Sequence, residues 1–292
     1  MKMTRICKMA AMLVLFAGIA SCKGNKTGTV QRPSGMDKQR VMPYVTCSEQ
    51  AIDSLLAIAD SVYLHTDKYK LEGLGMENED YNKWLKKNYN DTLPTVIALF
   101  DSYSRITNSG IDEADASFVW HEVARWQMKY FYETTGAKWQ EPNGYETLFK
   151  VINGIMGTYS GGSQSDMNTA AWRSIMPVDY RLVEAYKQLM DLCNDTEMVK
   201  LVHDDYMYTL KIFREYCASS DEWYSDLPRE QGEMFKLLLE SKLDNVKMLI
   251  AKYKKGSMDK NAVKKNLTEH RCLWGKNKCV ILTAKTLSEG IE

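Results

Sequence analysis

The sequence predicts an all-α protein: a multi-helix bundle or a set of stacked helical hairpins, with seven or eight helices after a flexible N-terminal tether. Apolar residues recur at three- and four-residue steps through most of the 292 residues, which is the spacing of one helix face. Alternation typical of a strand is limited to residues 278–283. Prolines stand where several helical stretches begin, in the turn that tolerates them: Pro94, Pro142, Pro177 and Pro228.

Residues 1–21 are predicted to be a signal peptide. Three basic residues, Lys2, Arg5 and Lys8, precede an apolar run from Met9 to Ala20. That run is shorter than the roughly 20 residues that a helix needs to cross a bilayer. A basic start followed by a short apolar run is typical of a segment that directs export and is then removed.

The end of this segment, Ile19-Ala20-Ser21-Cys22, resembles the lipobox of bacterial lipoproteins, in which an apolar residue and two small residues precede a cysteine. The resemblance implies that diacylglycerol is attached to Cys22 and that the new amino group is acylated. Several acyl chains on one residue would anchor the protein to a membrane. We therefore expect a cell-envelope location, at the outer membrane or the periplasmic face rather than in the cytoplasm. The alternative is an ordinary secretory signal with a chance cysteine.

Residues 22–46 are predicted to be a flexible basic tether. The segment is poor in apolar residues and contains several glycines, prolines, lysines and arginines. Such a composition offers little apolar surface to offset the entropy of ordering the chain. Its positive charges would also suit anionic lipid headgroups.

Residues 47–256 are predicted to be the all-helical body. Ser48 is a candidate N-cap for its first helix, and Gly256 is a candidate C-cap for its last. Ser165 or Asp166 is expected to cap the helix that follows the glycine-rich loop. His203, Asp204 and Asp205 are interpreted as part of a solvated acidic face. The apolar faces of successive helices include Leu56, Phe100, Val123, Ile152, Leu189, Phe213 and Leu238.

Residues 257–292 are predicted to be a basic C-terminal tail, partly ordered. Residues 242–285 carry 12 Lys and Arg against three Asp and Glu. We expect this region to fold against the acidic body or to contact anionic envelope polymers. The whole chain has 38 Lys and Arg and 38 Asp and Glu, so no nucleic-acid partner is expected.

Five cysteines remain beyond Cys22, and an odd number leaves at least one thiol free or paired with another chain. Cys272 and Cys279 enclose a short loop, while Cys193 and Cys217 lie on the two arms of one predicted hairpin. Both bridges are open possibilities. Cys47 is the fifth.

No complete catalytic set, metal site or cofactor site is predicted. His121-Glu122-Val123-Ala124-Arg125 begins like a zinc-protease helix, but Arg125 stands where the second histidine ligand is needed. We therefore predict a binding module for an envelope protein or glycan, held at the membrane through Cys22. The alternative is an envelope hydrolase whose site would bring together His121, Glu122 and His203. The candidate ligand contacts are Trp120, His121, Trp126 and Arg214.

A second resemblance covers residues 186–217. Tyr186-Lys187-Gln188-Leu189-Met190, followed by Leu201 and Phe213-Arg214-Glu215-Tyr216-Cys217, resembles the helical segment of exported lysozyme-inhibitor-like proteins. Tyr208 stands near the tryptophan of that family. The resemblance implies, as another alternative, a periplasmic lysozyme inhibitor with Arg214 at its contact surface.

Overall fold

The computed structural model describes residues 37–64, 83, 87, 93–134, 146, 149–150, 152–154, 163–219 and 226–276. The all-α prediction is confirmed, since these residues hold eight helices of seven residues or more and no strand. None of the described helices is long and apolar enough to cross a membrane. The signal peptide, Cys22 and the C-terminal Cys279 lie outside the described residues.

The eight helices follow one another along the chain, and two short 3-10 turns precede them. Seven helices lie within residues 47–256, and the eighth lies in the predicted tail. They are α1 (Glu49–Leu64), α2 (Leu93–Thr107), α3 (Glu113–Thr134), α4 (Gln164–Arg173), α5 (Ile175–Cys193), α6 (Thr196–Ser219), α7 (Leu227–Lys254) and α8 (Lys260–Lys276).

The predicted caps can be compared with the observed helix starts. Ser48 caps α1, because its Oγ accepts a hydrogen bond from the Ala51 amide at 3.3 Å. The cap of α4 is Ser163, so the assignment to Ser165 or Asp166 was wrong by two or three residues. Asp166 instead completes a capping box, accepting from the Ser163 amide at 3.0 Å. The loop offers several capping side chains, and the sequence does not rank them.

The prediction that Gly256 ends α7 is confirmed. Gly256 has a φ of 69°, a left-handed conformation that glycine adopts without a side-chain clash. Its amide donates to the Tyr253 carbonyl at 2.9 Å, and the Ser257 amide donates to the Lys252 carbonyl at 3.1 Å. These two bonds form a Schellman motif, which satisfies carbonyls that the helix end would leave unpaired.

Two apolar clusters form the core, and α3 and α5 contribute to both. One cluster joins α1, α2 and one side of α3, and it includes Trp120. The other joins α5, α6, α7 and α8 with the opposite side of α3, and it includes Phe118. Residues two apart on a helix point about 200° apart, so α3 faces both clusters. The surface between α3 and α5 therefore lies where the two apolar clusters meet.

Residues 37–46 pack on the helices, although the sequence placed them in the flexible tether. Val41 is buried in the first core cluster. The Thr46 amide and hydroxyl donate to the Asp115 carboxylate at 2.8 and 2.9 Å. His203 Nε2 contacts the Tyr44 carbonyl at 2.9 Å. These partners are distant in sequence, so the local composition of the segment did not reveal them.

The helix α8 folds against the acidic N-terminal end of α6. Val263 and Leu267 enter the second core cluster. Lys264 Nζ lies 2.8 Å from Asp195 Oδ2 and 2.5 Å from Glu197 Oε2. Of the two expectations for the basic tail, folding against the acidic body thus describes residues 260–269.

The Cys193–Cys217 bridge is not formed, because Cys193 is a free and buried thiol. Cys193 is the last residue of α5, immediately before the turn, whereas Cys217 lies near the far end of α6. At 1.5 Å per residue the two are separated by about 30 Å along α6, far beyond disulfide distance. Two cysteines on the arms of one helical hairpin can form a disulfide only if both lie equally far from the turn. Cys47 is also a free thiol.

A fully buried ion pair joins α6 and α7. Lys242 Nζ lies 2.8 Å from Asp205 Oδ1, and the Tyr186 hydroxyl donates to Asp205 Oδ2 at 2.7 Å. Both charged side chains are almost completely excluded from solvent. The solvated acidic face predicted here was therefore wrong for Asp205 and for His203, which are buried. Asp204 is partly exposed and pairs with Lys200.

A buried carboxyl group, Asp179, connects α5 with α3 and α6. Its oxygens accept hydrogen bonds from Ser117 at 3.1 Å and from Tyr206 at 2.9 Å. The Tyr103 side chain on α2 also favours the charged form of Asp179. Burial raises the pKa of Asp179 to about 6, because desolvation outweighs the hydrogen bonds that favour the charged form.

Candidate functional site

A cleft of about 450 Å³ lies where residues 37–46, the N-terminal segment, pass α3 and α5. Its volume falls within the range of small-molecule sites, roughly 300–1,000 Å³. Most of the lining is polar or charged. The N-terminal segment supplies Arg40 and Tyr44, and α3 supplies His121 and Arg125. The remaining lining residues come from α5: Tyr180, Glu184, Lys187, Gln188, Asp191 and Leu192.

The polar wall of the cleft comes from one stripe of α5. Tyr180, Glu184, Lys187 and Asp191 follow one another at steps of four, three and four residues, which places them on one helix face. Most of the other residues of α5 are buried in the core. His121 and Arg125 are four apart on α3 and share a face in the same way.

A fully buried carboxylate, Glu122, holds two arginines at the cleft. Arg125 makes a bidentate contact, with Nε 2.9 Å from Oε2 and Nη2 2.5 Å from Oε1. Arg40 Nε lies 3.3 Å from the same Oε1. The Arg125 side chain is 11% exposed, whereas that of Arg40 is 51% exposed.

Lys187 is the third cationic side chain of the cleft. Its Nζ lies 4.9 Å from the centre of the Tyr44 ring, a cation–π contact. Among the described residues, no carboxylate lies within 4.0 Å of this ammonium group. Burial lowers the pKa of Lys187; Glu122 and Glu184 oppose this effect, and the charges of Arg40 and Arg125 add to it.

His121 forms the floor of the cleft. Its ring stacks on Tyr180 with 4.2 Å between centroids, and its side chain is 1% exposed. Nε2 lies 2.7 Å from Glu184 Oε2, at an angle outside hydrogen-bond geometry, and Nδ1 has no hydrogen-bond partner in the described part of the chain. Burial lowers the pKa of His121 despite Glu184, while His121 lowers the pKa of Glu184. A neutral imidazole therefore faces an ionised carboxylate.

Tyr44 closes one side of the cleft. Its hydroxyl donates to Asp191 Oδ1 at 2.7 Å. Burial and this hydrogen bond raise the pKa of Tyr44 to about 12, so its phenol stays protonated at neutral pH. Among the described residues that line the cleft there is no serine, threonine or cysteine. The described lining thus offers charges and hydrogen bonds for binding, without a hydroxyl or thiol nucleophile of the usual kind.

The four candidate ligand contacts lie in different environments. His121 lines the cleft. Trp120 and Trp126 are buried in the first core cluster. The Trp120 ring packs edge-to-face on the Tyr103 ring, with 4.7 Å between the ring centroids. Arg214 is exposed on α6 and forms an ion pair with Glu113. The tryptophans are core residues rather than surface platforms, as aromatic side chains at helical spacing usually are.

The three residues of the hydrolase alternative do not meet in this cleft. Glu122 is occupied by Arg40 and Arg125. His203 lies against Phe118, with ring centroids 5.2 Å apart, and contacts the Tyr44 carbonyl. Only His121 lines the cleft. Glu122 follows His121 by one residue and so points about 100° away on α3.

One cluster has metal-ligand residue types that the sequence did not indicate. Ligand atoms of Asp112, Asp115 and His203 lie within 4.8 Å of one another. Both Asp115 oxygens accept from Thr46, and Asp112 Oδ1 accepts from the Ala114 amide at 3.0 Å as a helix cap. His203 contacts the Tyr44 carbonyl through Nε2. These groups hold the N-terminal segment and the start of α3, and we assign no metal to them.

No protein-family model matches the chain, and no curated protein or solved structure matches it either. The site is therefore interpreted from its own chemistry. The sequence missed Arg40, Tyr44 and the α5 stripe as site residues. The stripe carried a usable signal, since polar side chains recur at helical spacing along a largely apolar helix.

Proposed function

We propose that the protein is a lipid-anchored binding module of the bacterial cell envelope, and that the cleft between the N-terminal segment, α3 and α5 is its binding site. The observation that carries the binding role is the convergence of charged side chains from three separate parts of the chain in one cleft of small-ligand size. The lipobox at Cys22 supports the anchor. The ligand is a small envelope molecule, or the end of an envelope glycan or peptide.

The anchor is tested by Cys22→Ala. Without the thiol no diacylglycerol can be attached, so we expect the protein to move from the membrane fraction to the soluble fraction of a bacterial host. Fractionation followed by immunoblotting measures the distribution, and intact-mass measurement of the wild type checks for the acyl groups. Membrane association that survives the substitution would contradict lipid anchoring.

The binding site is tested by filling the cleft. Gln188 lines it and is exposed on α5, so Gln188→Trp should occupy the cavity without disturbing the core. Lys211→Trp is the matched control, because it adds the same side chain at an exposed position on α6 away from the cleft. Each protein is mixed with the low-molecular-mass fraction of digested bacterial envelopes, and the retained molecules are identified by mass spectrometry after ultrafiltration.

We expect the wild type and Lys211→Trp to retain the same species and Gln188→Trp to lose it. Unchanged thermal unfolding of the two variants shows that the added tryptophan has not altered the fold. Equal retention by all three proteins, or retention by none, would contradict the cleft as the binding site.

A further inference from the structure

We infer that Lys187 is a reactive amine, which forms an imine with the carbonyl group of a small aldehyde or ketone bound in the cleft. This inference rests on the proposed function, because it names the chemical class of the molecule that the same cleft takes. Three features carry it: Lys187 lines the cleft, it has no carboxylate partner among the described residues, and it is partly buried beside two guanidinium groups.

The described lining of the cleft offers one side chain that can form a carbon–nitrogen double bond with a carbonyl group. Such a bond requires a nitrogen that has a free lone pair and two hydrogens to lose. Arg40 and Arg125 keep their charge, and each ring nitrogen of His121 carries at most one hydrogen. The lone pair of the Gln188 amide nitrogen is delocalised into its carbonyl group. Lys187 is left as the candidate nucleophile.

The contacts of Lys187 differ from those of the buried lysine in the core. Lys242 Nζ lies 2.8 Å from Asp205 Oδ1, and a carboxylate at this distance holds a lysine in its ammonium form. No carboxylate of the described residues lies within 4.0 Å of Lys187 Nζ, which instead lies 4.9 Å from the centre of the Tyr44 ring. The ring positions the amine at the cleft without accepting its proton.

The surroundings of Lys187 favour its neutral form. Burial has the largest effect and lowers the pKa of Lys187, and the charges of Arg40 and Arg125 lower it further. Glu122 and Glu184 oppose them. A lysine that is partly removed from water and lies beside other cations is activated as a nucleophile in this way. The titratable and charged side chains around it, from the N-terminal segment, α3 and α5, are Arg40, Tyr44, His121, Glu122, Arg125, Glu184 and Asp191.

Imine formation at Lys187 is balanced by the release of one water molecule. The amine lone pair forms a bond to the carbonyl carbon, while the electron pair of the C=O π bond moves to the oxygen. One amine hydrogen is transferred to this oxygen, which gives a carbinolamine. The C–O bond then breaks, the oxygen leaves as water with the second amine hydrogen, and the C=N bond forms. The step needs no oxidant, reductant or further reactant.

The test is reductive trapping of the full-length protein in detergent with propanal and sodium cyanoborohydride at about pH 7. The reductant converts an imine into a stable secondary amine, and peptide mass spectrometry gives the rate at which each lysine is modified. Lys211 on α6 and Lys247 on α7 are exposed references. A solvated lysine amine is almost wholly protonated at this pH, so we expect Lys187 to be modified at least about threefold faster. Equal or slower modification of Lys187 would overturn the inference.

The pH dependence distinguishes a reactive amine from one that is only accessible. As the pH rises from about 7 to about 10, solvated lysines lose their protons and become reactive as well. The rate of Lys187 relative to Lys247 should therefore fall toward one. A ratio that stays constant over this range reflects access alone and would contradict the inference.

Two variants test whether the reaction takes place in the cleft. Gln188→Trp fills the cavity and should slow the modification of Lys187 relative to Lys247, whereas Lys211→Trp should leave this ratio unchanged. Undiminished modification of Lys187 in Gln188→Trp would also overturn the inference. If an envelope species depends on the cleft but carries no carbonyl group, the ligand class is wrong while the proposed site stands. If Lys187 is trapped as expected but no envelope species depends on the cleft, the proposed function fails while the reactive amine stands.

Discussion

Replacing Lys242 with methionine is expected to lower the free energy of unfolding by about 3–5 kcal/mol, because it leaves Asp205 as a buried charge without its cation. Lys242 Nζ and Asp205 Oδ1 are 2.8 Å apart, and neither side chain is more than 3% exposed. The Tyr186 hydroxyl remains as a donor to Asp205, but a neutral hydrogen bond does not replace the lost charge. Urea unfolding followed by circular dichroism measures the change.

Two further variants separate the buried charge from a general effect of removing lysines. Lys247→Met lies on the same helix at an exposed position and should change stability by less than about 0.5 kcal/mol. The double variant Lys242→Met, Asp205→Asn carries neither charge and should be more stable than Lys242→Met alone. A single variant that stays within about 1 kcal/mol of the wild type would contradict the buried pair.

The second large effect concerns the pH dependence of stability at Asp179. Its pKa is about 6 in the folded protein, raised by burial, against 3.8 for the ordinary group. Between pH 3.8 and about 6 the folded state holds a proton that the unfolded chain has lost. The contribution of Asp179 to stability therefore falls as the pH rises through this window and stays low above it. The difference between the two pKa values corresponds to about 3 kcal/mol.

Asp179→Asn removes this titration and keeps an oxygen that accepts from Ser117 or Tyr206. We expect the stability of the wild type relative to Asp179→Asn to decrease by about 2–2.5 kcal/mol as the pH is raised from about 4 to about 7. Urea unfolding of both proteins across this range gives the difference, in which most other titrating groups cancel. A difference that does not change with pH would contradict the raised pKa of Asp179 in the folded protein.

The helical fold could be predicted from the sequence because its signals are local. Apolar residues at three- and four-residue steps mark the helix faces, and Ser48 and Gly256 mark helix ends through bonds to residues three to five positions away. The packing of residues 37–46 depends instead on partners such as Asp115 and His203, which are 69 and 159 residues distant. The composition of residues 37–46 does not indicate such distant contacts.

The candidate site was predicted at one residue only. His121 was named as a candidate ligand contact together with Trp120 and Trp126, yet those two tryptophans are in the core. Asp205 was assigned to a solvated face, as a charged residue on a predicted helix ordinarily is, and this assignment failed because its partner Lys242 comes from another helix. The cleft itself arises where three segments meet, so no single stretch of sequence describes it.

Retention of envelope molecules by the wild type, Gln188→Trp and Lys211→Trp tests the binding site most directly, because one variant places a tryptophan in the cleft and the other places it at an exposed position on α6. We predict that the species retained by the wild type is also retained by Lys211→Trp and is lost from Gln188→Trp. Retention of the same species by Gln188→Trp at the wild-type level would show that the ligand binds elsewhere and would contradict the assignment of the cleft.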